Sequence, residues 1–156
     1  MPSSISPPMP ERGSTRKRYT GEAVDVSFDP LRCRHAAECL RGLPAVFDRD
    51  RRPWILPDGG DPEDVVRVVA RCPTGALRTH PIEPAATEPR VTPTEVTVLP
   101  GGPVLLHGDL HVTGLGGLDE QETRAALCSC GSTANAPYCD GGGTCVDWPH
   151  PRRSEP

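Results

Sequence analysis

The chain has 156 residues and a formal net charge of −4, and only 35% of its residues are hydrophobic and 4% aromatic. Its 20 prolines and 16 glycines approach the content at which composition indicates disorder. Residues 1–18 contain no apolar signal-peptide core, and no apolar run of 18 residues occurs, so we predict no membrane-spanning segment. Two units of about 60 residues each would have marginal cores unless each contained a metal centre.

The seven cysteines indicate in which cellular compartment the protein works. Their odd number argues against a fully paired disulfide framework, and their clustering is typical of metal ligands in the reducing cytoplasm, where we therefore place the protein. The basic residues near the N-terminus are few and lack interleaved aromatic residues, so we predict no binding to nucleic acid. The seven cysteines are Cys33, Cys39, Cys72, Cys128, Cys130, Cys139 and Cys145.

The first half of the chain predicts a small α+β domain over residues 19–79. Residues 1–18 are rich in serine and proline and are expected to form a disordered tail. Asp61 followed by Pro62 is typical of a helix start, with an N-cap acid and a proline at the first helical position. The elements expected within the domain are a strand, a helix, a hairpin, a helix and a strand, at 23–28, 36–41, 45–47 with 53–56, 61–71 and 76–79.

The second half predicts a smaller, β-rich unit over residues 94–145. Four prolines in residues 80–93 indicate a stiff, extended linker. A strand over 95–99, a Pro-Gly-Gly-Pro turn and a strand over 104–110 then lead to a cysteine-rich stretch, and residues 146–156 read as a loose tail. The predicted fold class is therefore α+β, with a small ferredoxin-like domain followed by a small β-rich module.

The first cysteine group has the pattern Cys33-x5-Cys39 with a distant Cys72-Pro. Bacterial ferredoxins use C-x2-C-x2-C with a remote C-P to hold a cubane, and here Ala36 stands where the middle cysteine would be. Three thiolates suit a [3Fe–4S] cluster, whereas a [4Fe–4S] cluster needs another donor, for which His35 is the nearest candidate. Alternatively, His35 is a loop histidine that hydrogen-bonds to backbone or water and binds no metal, and Cys72 is a buried thiol that only fills space in the core.

Several segments of residues 19–79 together resemble the divergent single-cluster ferredoxin family. The resemblance covers about 60 residues and implies an iron–sulfur protein in this half, without deciding the type of cluster. The matching segments are Tyr19-x-Gly21, Cys33-x-His35-Ala36-x-Glu38-Cys39, Leu43-Pro-x-Val-Phe47, Arg52-Pro-Trp-Ile55 and Cys72-Pro-Thr-Gly-Ala-Leu77.

The second cysteine group packs four thiols into residues 128–145, where a disulfide pair, a zinc ion or an iron–sulfur cluster could join them. The pattern Cys128-x-Cys130-x2-Thr-x3-Pro-x-Cys139-Asp-Gly resembles the CDGSH family of mitoNEET-type proteins. This resemblance implies a [2Fe–2S] cluster held by three cysteines and one histidine. Gly143 stands where the family has its histidine, so we predict Cys145 as the fourth ligand, with His150 as a rival. Zinc remains the alternative metal.

The two resemblances together imply an electron-transfer protein that accepts one electron at a time from a reductase and passes it to a redox enzyme, such as an oxygenase. No residue pattern supplies the paired base and orienting group of a nucleophilic enzyme, so we predict that the chain is not an enzyme. One alternative is an iron–sulfur sensing or cluster-transfer protein, and another is a zinc-stabilised interaction module. The CDGSH resemblance allows dimerisation through the second module, although nothing in residues 94–145 indicates it.

Overall fold

The computed structural model describes residues 16–82, 88, 91–114 and 117–141, which form two three-stranded antiparallel sheets and two short α-helices. This architecture confirms the predicted α+β class with a β-rich second half. The predicted tail 146–156, and most of the tail predicted at the N-terminus, lie outside the described residues. Within the described ranges, no helix combines the length and apolar character needed to cross a lipid bilayer. We call residues 16–82 the first module and residues 91–141 the second module.

The first sheet consists of β1 (Lys17–Tyr19), β2 (Val24–Phe28) and β3 (Leu77–Pro81), with β2 in the centre. Contrary to the predicted tail over residues 1–18, β1 pairs with β2. The Arg16 guanidinium also donates to the carbonyl oxygens of Gly75 and Ala76, at 3.1 and 3.0 Å. β3 likewise extends two residues into the segment expected to be a linker.

The central strand β2 is buried on both faces, whereas the alternating pattern predicted a half-buried strand. Asp25 is buried because Arg18 and the backbone of Gly21 donate to its carboxylate, at 2.8 and 3.0 Å. These bonds favour the ionised form and, with the backbone bond as the largest cause, lower the pKa of Asp25. The polar face of this strand is thus covered by its neighbours rather than by water.

The helices differ from their predicted bounds for local reasons. α1 (Glu38–Gly42) begins two residues later than expected, because His35 and Ala37 adopt left-handed backbone angles, φ +57° and +60°. α2 (Pro62–Val69) starts as predicted, with the Asp61 carboxylate accepting from the backbone N–H of Glu63. It ends two residues before the predicted end. The predicted hairpin is reduced to a single bridge between Phe47 and Ile55.

The hydrophobic core of the first module lies between its sheet and α2. The four valines of α2 are all buried, which agrees with the helical spacing read from the sequence. Trp54 packs edge-on against Phe28, with the ring centroids 4.9 Å apart, and both side chains pack against this core. The buried members of this core are Tyr19, Val24, Val26, Val46, Phe47, Ile55, Val65, Val66, Val68, Val69 and Leu77.

The second sheet consists of β4 (Glu95–Val98), β5 (Val104–Gly114) and β6 (Leu118–Leu127), with β5 in the centre. The first two strands lie close to the predicted positions, and β6 was not predicted. Few apolar side chains are buried here: the small cluster contains Ala126 and Cys139, with Leu105, Cys128 and Cys130 packed against it. The cysteines therefore form much of the core of this module.

Buried charged residues join the two modules. Arg124 of β6 is 2% exposed and donates to the carbonyl oxygens of Val69 and Cys72, both at 2.6 Å, and of Leu77 at 3.1 Å. Glu122, also on β6, contacts the guanidinium groups of Arg32 and Arg78 in the first module. The junction consequently resembles a protein interior more than a linker-separated contact.

Candidate metal centres

The three cysteines of the first group come from three different local structures. Cys33 follows a turn in which Asp29 accepts from the backbone N–H groups of Leu31 and Arg32. Cys39 lies in the first turn of α1. Cys72 lies in the turn after α2, three residues beyond Val69, and its N–H donates to the carbonyl of Val69 at 2.9 Å. All three thiols are partly buried.

Two of these cysteines face a shared cavity of about 360 Å³. Its wall is part aromatic and part cationic, and it consists of Phe28, Cys33, His35, Ala37, Cys39, Leu40, Arg49, Arg52 and Trp54. Burial raises the pKa of the Cys39 thiol to about 11, and the nearby Cys72 is the next largest cause. Burial also raises the pKa of Cys33, with Cys72 contributing in the same direction. The three thiols therefore lie close enough to influence one another.

His35 also belongs to this site, but it is exposed, whereas the three cysteines are partly buried. It lines the cavity, and its Nδ1 lies 4.0 Å from the Cys33 sulfur. In the part of the chain that the structure describes, no three His, Cys, Asp or Glu side chains lie close enough to hold one metal ion. A cluster of several irons spreads its ligands more widely than one ion does. A common cavity with thiols on separate elements fits such a group.

The raised pKa of Cys39 leads to a measurable pH dependence in cluster-free protein. The folded-state pKa of about 11 exceeds the ordinary value of 9.0, so Cys39 should remain a protonated, slowly alkylated thiol at pH 8, because the thiolate is the nucleophile. Its rate of reaction with iodoacetamide should rise steeply only as the pH approaches 11. The contribution of this group to stability is complete below pH 9 and is lost as the pH rises from 9 to 11.

Residue-resolved mass spectrometry of the alkylated peptides checks this prediction. The same chain in denaturant provides the control, since its cysteines should titrate near the ordinary value. Equal rates for Cys39 in the folded and denatured chains at pH 8 contradict the prediction.

The second cysteine group is assembled where β6 ends. Cys128 and Cys130 have their sulfur atoms 3.6 Å apart, and the backbone N–H of Gly131 donates to the Cys128 sulfur at 3.2 Å. Cys139 is buried and pairs with the end of β6, its N–H donating to the carbonyl of Ala126 at 2.8 Å. The three thiols thus share one small cluster, and Cys128 and Cys130 are partly exposed.

Polar side chains hold the loop between these cysteines. The Thr133 hydroxyl donates to the carbonyl of Tyr138 at 2.7 Å and accepts from the N–H of Asn135. The Asp140 carboxylate accepts from the backbone N–H of Ala134 at 2.9 Å. The remaining predicted ligand Cys145 and its rival His150 lie outside the described residues.

The comparisons with known proteins agree with this division of the chain. The family described as "Divergent 4Fe-4S mono-cluster" matches residues 19–80. Over 60 residues the chain is 47% identical to "Uncharacterized protein YjdI" of Escherichia coli strain K12, and equally to the protein of that name in Escherichia coli O157:H7. These alignments cover 38% of this chain and 79% of each relative. The chain belongs to the divergent 4Fe-4S mono-cluster family.

A second family, described as "Iron-binding zinc finger CDGSH type", matches residues 101–142, downstream of the mono-cluster domain. Both predicted resemblances are therefore confirmed, and the chain carries two iron–sulfur binding domains in the expected order. No solved structure matches the chain. The individual ligand assignments stay predictions, because these matches extend over domains rather than single residues.

The charged residues that connect the two iron–sulfur domains are not predicted from the sequence. Arg32 directly precedes Cys33 and is 2% exposed, and Glu122 and Arg124 are buried on β6. Buried charges are invisible to a search for apolar periodicity. The Gly-Leu-Gly-Gly sequence at 114–117 is the one sequence signal that indicates a second strand after β5.

Proposed function

We propose that the chain is a two-centre iron–sulfur electron carrier that takes one electron at a time from a reductase and delivers it to a redox enzyme, such as an oxygenase. The observation that carries the proposal is the gathering of the thiols into two groups, one around the cavity beside Trp54 and one at the end of β6. One-electron transfer changes only the oxidation state of the centre, so it needs no substrate pocket. The cytoplasm, with its reducing conditions, is the compartment that suits free thiols of this kind.

For the first centre, we assign Cys33, Cys39 and Cys72 as ligands and His35 as the donor to a fourth iron, giving a [4Fe–4S] cluster rather than [3Fe–4S]. Support comes from the position of His35 on the cavity wall, 4.0 Å from the Cys33 sulfur. The cationic wall formed by Arg49 and Arg52 complements the negative charge of a thiolate-bound cluster. Such charges near a cluster raise its reduction potential.

Replacing His35 by alanine is expected to turn the first centre into a three-iron cluster. Without the imidazole, no fourth donor remains, so the fourth iron should be lost while the three thiolates hold the remainder. The oxidised H35A protein should then show the EPR spectrum of a [3Fe–4S] centre, whereas oxidised [4Fe–4S] protein is EPR-silent. His107, in the second module, provides the matched control, and H107A should retain the wild-type spectrum.

For the second centre, we assign a [2Fe–2S] cluster to Cys128, Cys130, Cys139 and Cys145. An all-thiolate set carries more negative charge than one that includes histidine, and such [2Fe–2S] centres lie near −400 mV, whereas Rieske-type centres range from about −150 to +300 mV. The hydrogen bond from Gly131 to the Cys128 sulfur offsets part of this effect. The second centre is accordingly assigned a low potential.

Metal and sulfide analysis of anaerobically purified protein tests the proposed function. Iron together with acid-labile sulfide is expected, with EPR signals from two distinct centres after reduction by dithionite. Zinc together with only enough iron and sulfide for the first centre would instead identify the second module as a zinc-stabilised interaction module. Stopped-flow reduction by a purified ferredoxin reductase then tests electron transfer directly.

A second candidate function is cluster sensing or cluster transfer. It is favoured by the partial exposure of Cys128 and Cys130, and by the presence of glycine at 143, where the CDGSH family has its histidine. Rapid transfer of the second cluster to an apo-acceptor, without reduction by the reductase, would support this candidate over electron transfer.

A further inference from the structure

The loop that carries Cys33 lies directly against the loop that carries Cys139. The Arg32 guanidinium lies 3.9 Å from the centroid of the Tyr138 ring. On the other side of Cys33, the Arg34 guanidinium occupies the space beside Gly141, where any β-carbon would overlap it. Residues on both sides of one predicted ligand therefore contact residues on both sides of another.

Arg32 is fixed by contacts that do not depend on the aromatic ring. Its guanidinium donates to the Glu122 carboxylate at 2.6 Å, to the carbonyl of Thr74 at 2.9 Å and to that of Arg124 at 3.1 Å. Thr74 is two residues from Cys72, so this side chain also reaches the loop of another predicted ligand. The side chain is 2% exposed, and a buried guanidinium with this many acceptors has little freedom to move.

Tyr138 is likewise held by contacts that do not involve Arg32. Its ring is 4% exposed, and its hydroxyl donates to the Glu120 carboxylate at 2.6 Å. Its backbone N–H donates to the carbonyl of Asn135 at 3.0 Å. The stacking of Arg32 on Tyr138 therefore joins two elements that are each rigid, and a cation over an aromatic face is itself attractive when shielded from water.

Resting on the proposed electron-transfer function, we propose that Arg32, Arg34 and Tyr138 are positioning residues that hold the two cysteine groups face to face, so that the chain is one coupled redox unit. Each predicted ligand is one residue from the Arg32–Tyr138 contact, and neighbouring Cα atoms are 3.8 Å apart. When one electron passes from the first centre to the second, the first centre is oxidised by one electron and the second is reduced by one electron. No bond forms or breaks, and no further reactant is needed.

Charge gives this arrangement a second effect. Thiolate-bound clusters are anionic, and two anions at close range disfavour the simultaneous reduction of both. The Arg34 guanidinium lies between the two loops, beside Gly141, where positive charge lowers this repulsion, whereas the charge of Arg32 is already paired with Glu122. The interface thus reduces the cost of placing an electron on both centres.

EPR spectroscopy of the anaerobic, fully reduced holoprotein tests the coupling. Two paramagnetic centres at close range split or broaden each other's spectra and relax faster, so the wild-type spectrum should differ from the sum of two single-centre spectra. C72S and C139S supply those reference spectra. A wild-type spectrum equal to that sum overturns the inference but leaves the proposed function intact, because both centres are then reduced independently. If dithionite reduces neither centre, both proposals fail.

Variants of Tyr138 connect the coupling to the named contact. Y138L removes the aromatic face while filling the space with an apolar side chain, and the spectrum should shift towards the sum of the single-centre spectra. Y138F retains the ring and loses only the hydroxyl, so it should keep the wild-type spectrum. Iron and sulfide contents equal to those of wild type show that both centres are still loaded, which a general loss of structure would not allow.

R34A is a second test of the contact between the two loops, and it leaves the buried contacts of Arg32 in place. It removes only the side chain beside Gly141, and we expect a partial loss of the splitting with both centres loaded. Full wild-type splitting in both Y138L and R34A overturns the role assigned to these residues.

Discussion

C72S protein is expected to lose the first iron–sulfur centre completely while retaining the second. Cys72 lies three residues beyond the end of α2, and its position is fixed by hydrogen bonds from its N–H to Val69 and from Arg124 to its carbonyl. A serine hydroxyl is far less acidic than a thiol and is a much poorer ligand to the iron of a cluster, and two thiolates alone should not retain the cluster. Iron and sulfide content, together with the EPR spectrum after reduction, measure the loss.

The reciprocal variant is C130S, which should lose the second centre and retain the first. The two variants control for each other, since each is a Cys→Ser change at a partly buried thiol. A C72S protein with wild-type iron content and spectrum contradicts the ligand role and leaves Cys72 as a packed thiol at the end of a helix.

Glu122→Leu is expected to lower the free energy of unfolding by about 3–5 kcal/mol, the usual cost of removing one partner from a buried ion pair. The Glu122 side chain is 1% exposed and contacts the guanidinium groups of Arg32 and Arg78. Its removal leaves two positive charges facing each other without their shared anion. Burial already lowers the pKa of Arg78 to about 10, and Arg16 and Arg32 contribute in the same direction.

The midpoint of thermal unfolding of the anaerobic holoprotein, followed by far-UV circular dichroism, should be about 6–20 °C lower in E122L. Asp64→Asn is the matched control, because it breaks a carboxylate–arginine pair with Arg67 on the exposed face of α2. Exposed pairs of this kind contribute about 0–1 kcal/mol. Equal midpoints for E122L and D64N contradict the prediction.

What the sequence predicts well in this protein is what local chemistry determines. Asp61 and Pro62 mark the start of α2 because an acceptor side chain and a missing N–H suit the first turn of a helix. The cysteine spacing separates the two modules, and both families are confirmed. The α1 boundary was wrong because the ligand loop carries two left-handed residues, His35 and Ala37, which residue type alone does not predict.

The parts that the sequence did not predict depend on contacts between distant residues. β6 was missed because its inward side chains include Glu122 and Arg124, which a search for apolar residues assigns to the surface. β1 was missed because the basic residues before Tyr19 resemble a solvated tail. Arg16 is instead held by carbonyl groups about 60 positions away in sequence. Partners of this kind become visible only when the chain is folded.

The hydrogen bonds that Arg124 donates to the first module would be lost if the two halves of the chain were separated. If the chain were cleaved within residues 83–87 and the two halves dissociated, the carbonyl oxygens of Val69, Cys72 and Leu77 would lose the Arg124 guanidinium as a donor. Water would have to take its place at the end of α2, beside a predicted iron ligand. The mono-cluster half alone is therefore expected to release its iron more readily than the intact chain, in which the downstream half shields the end of α2 from water.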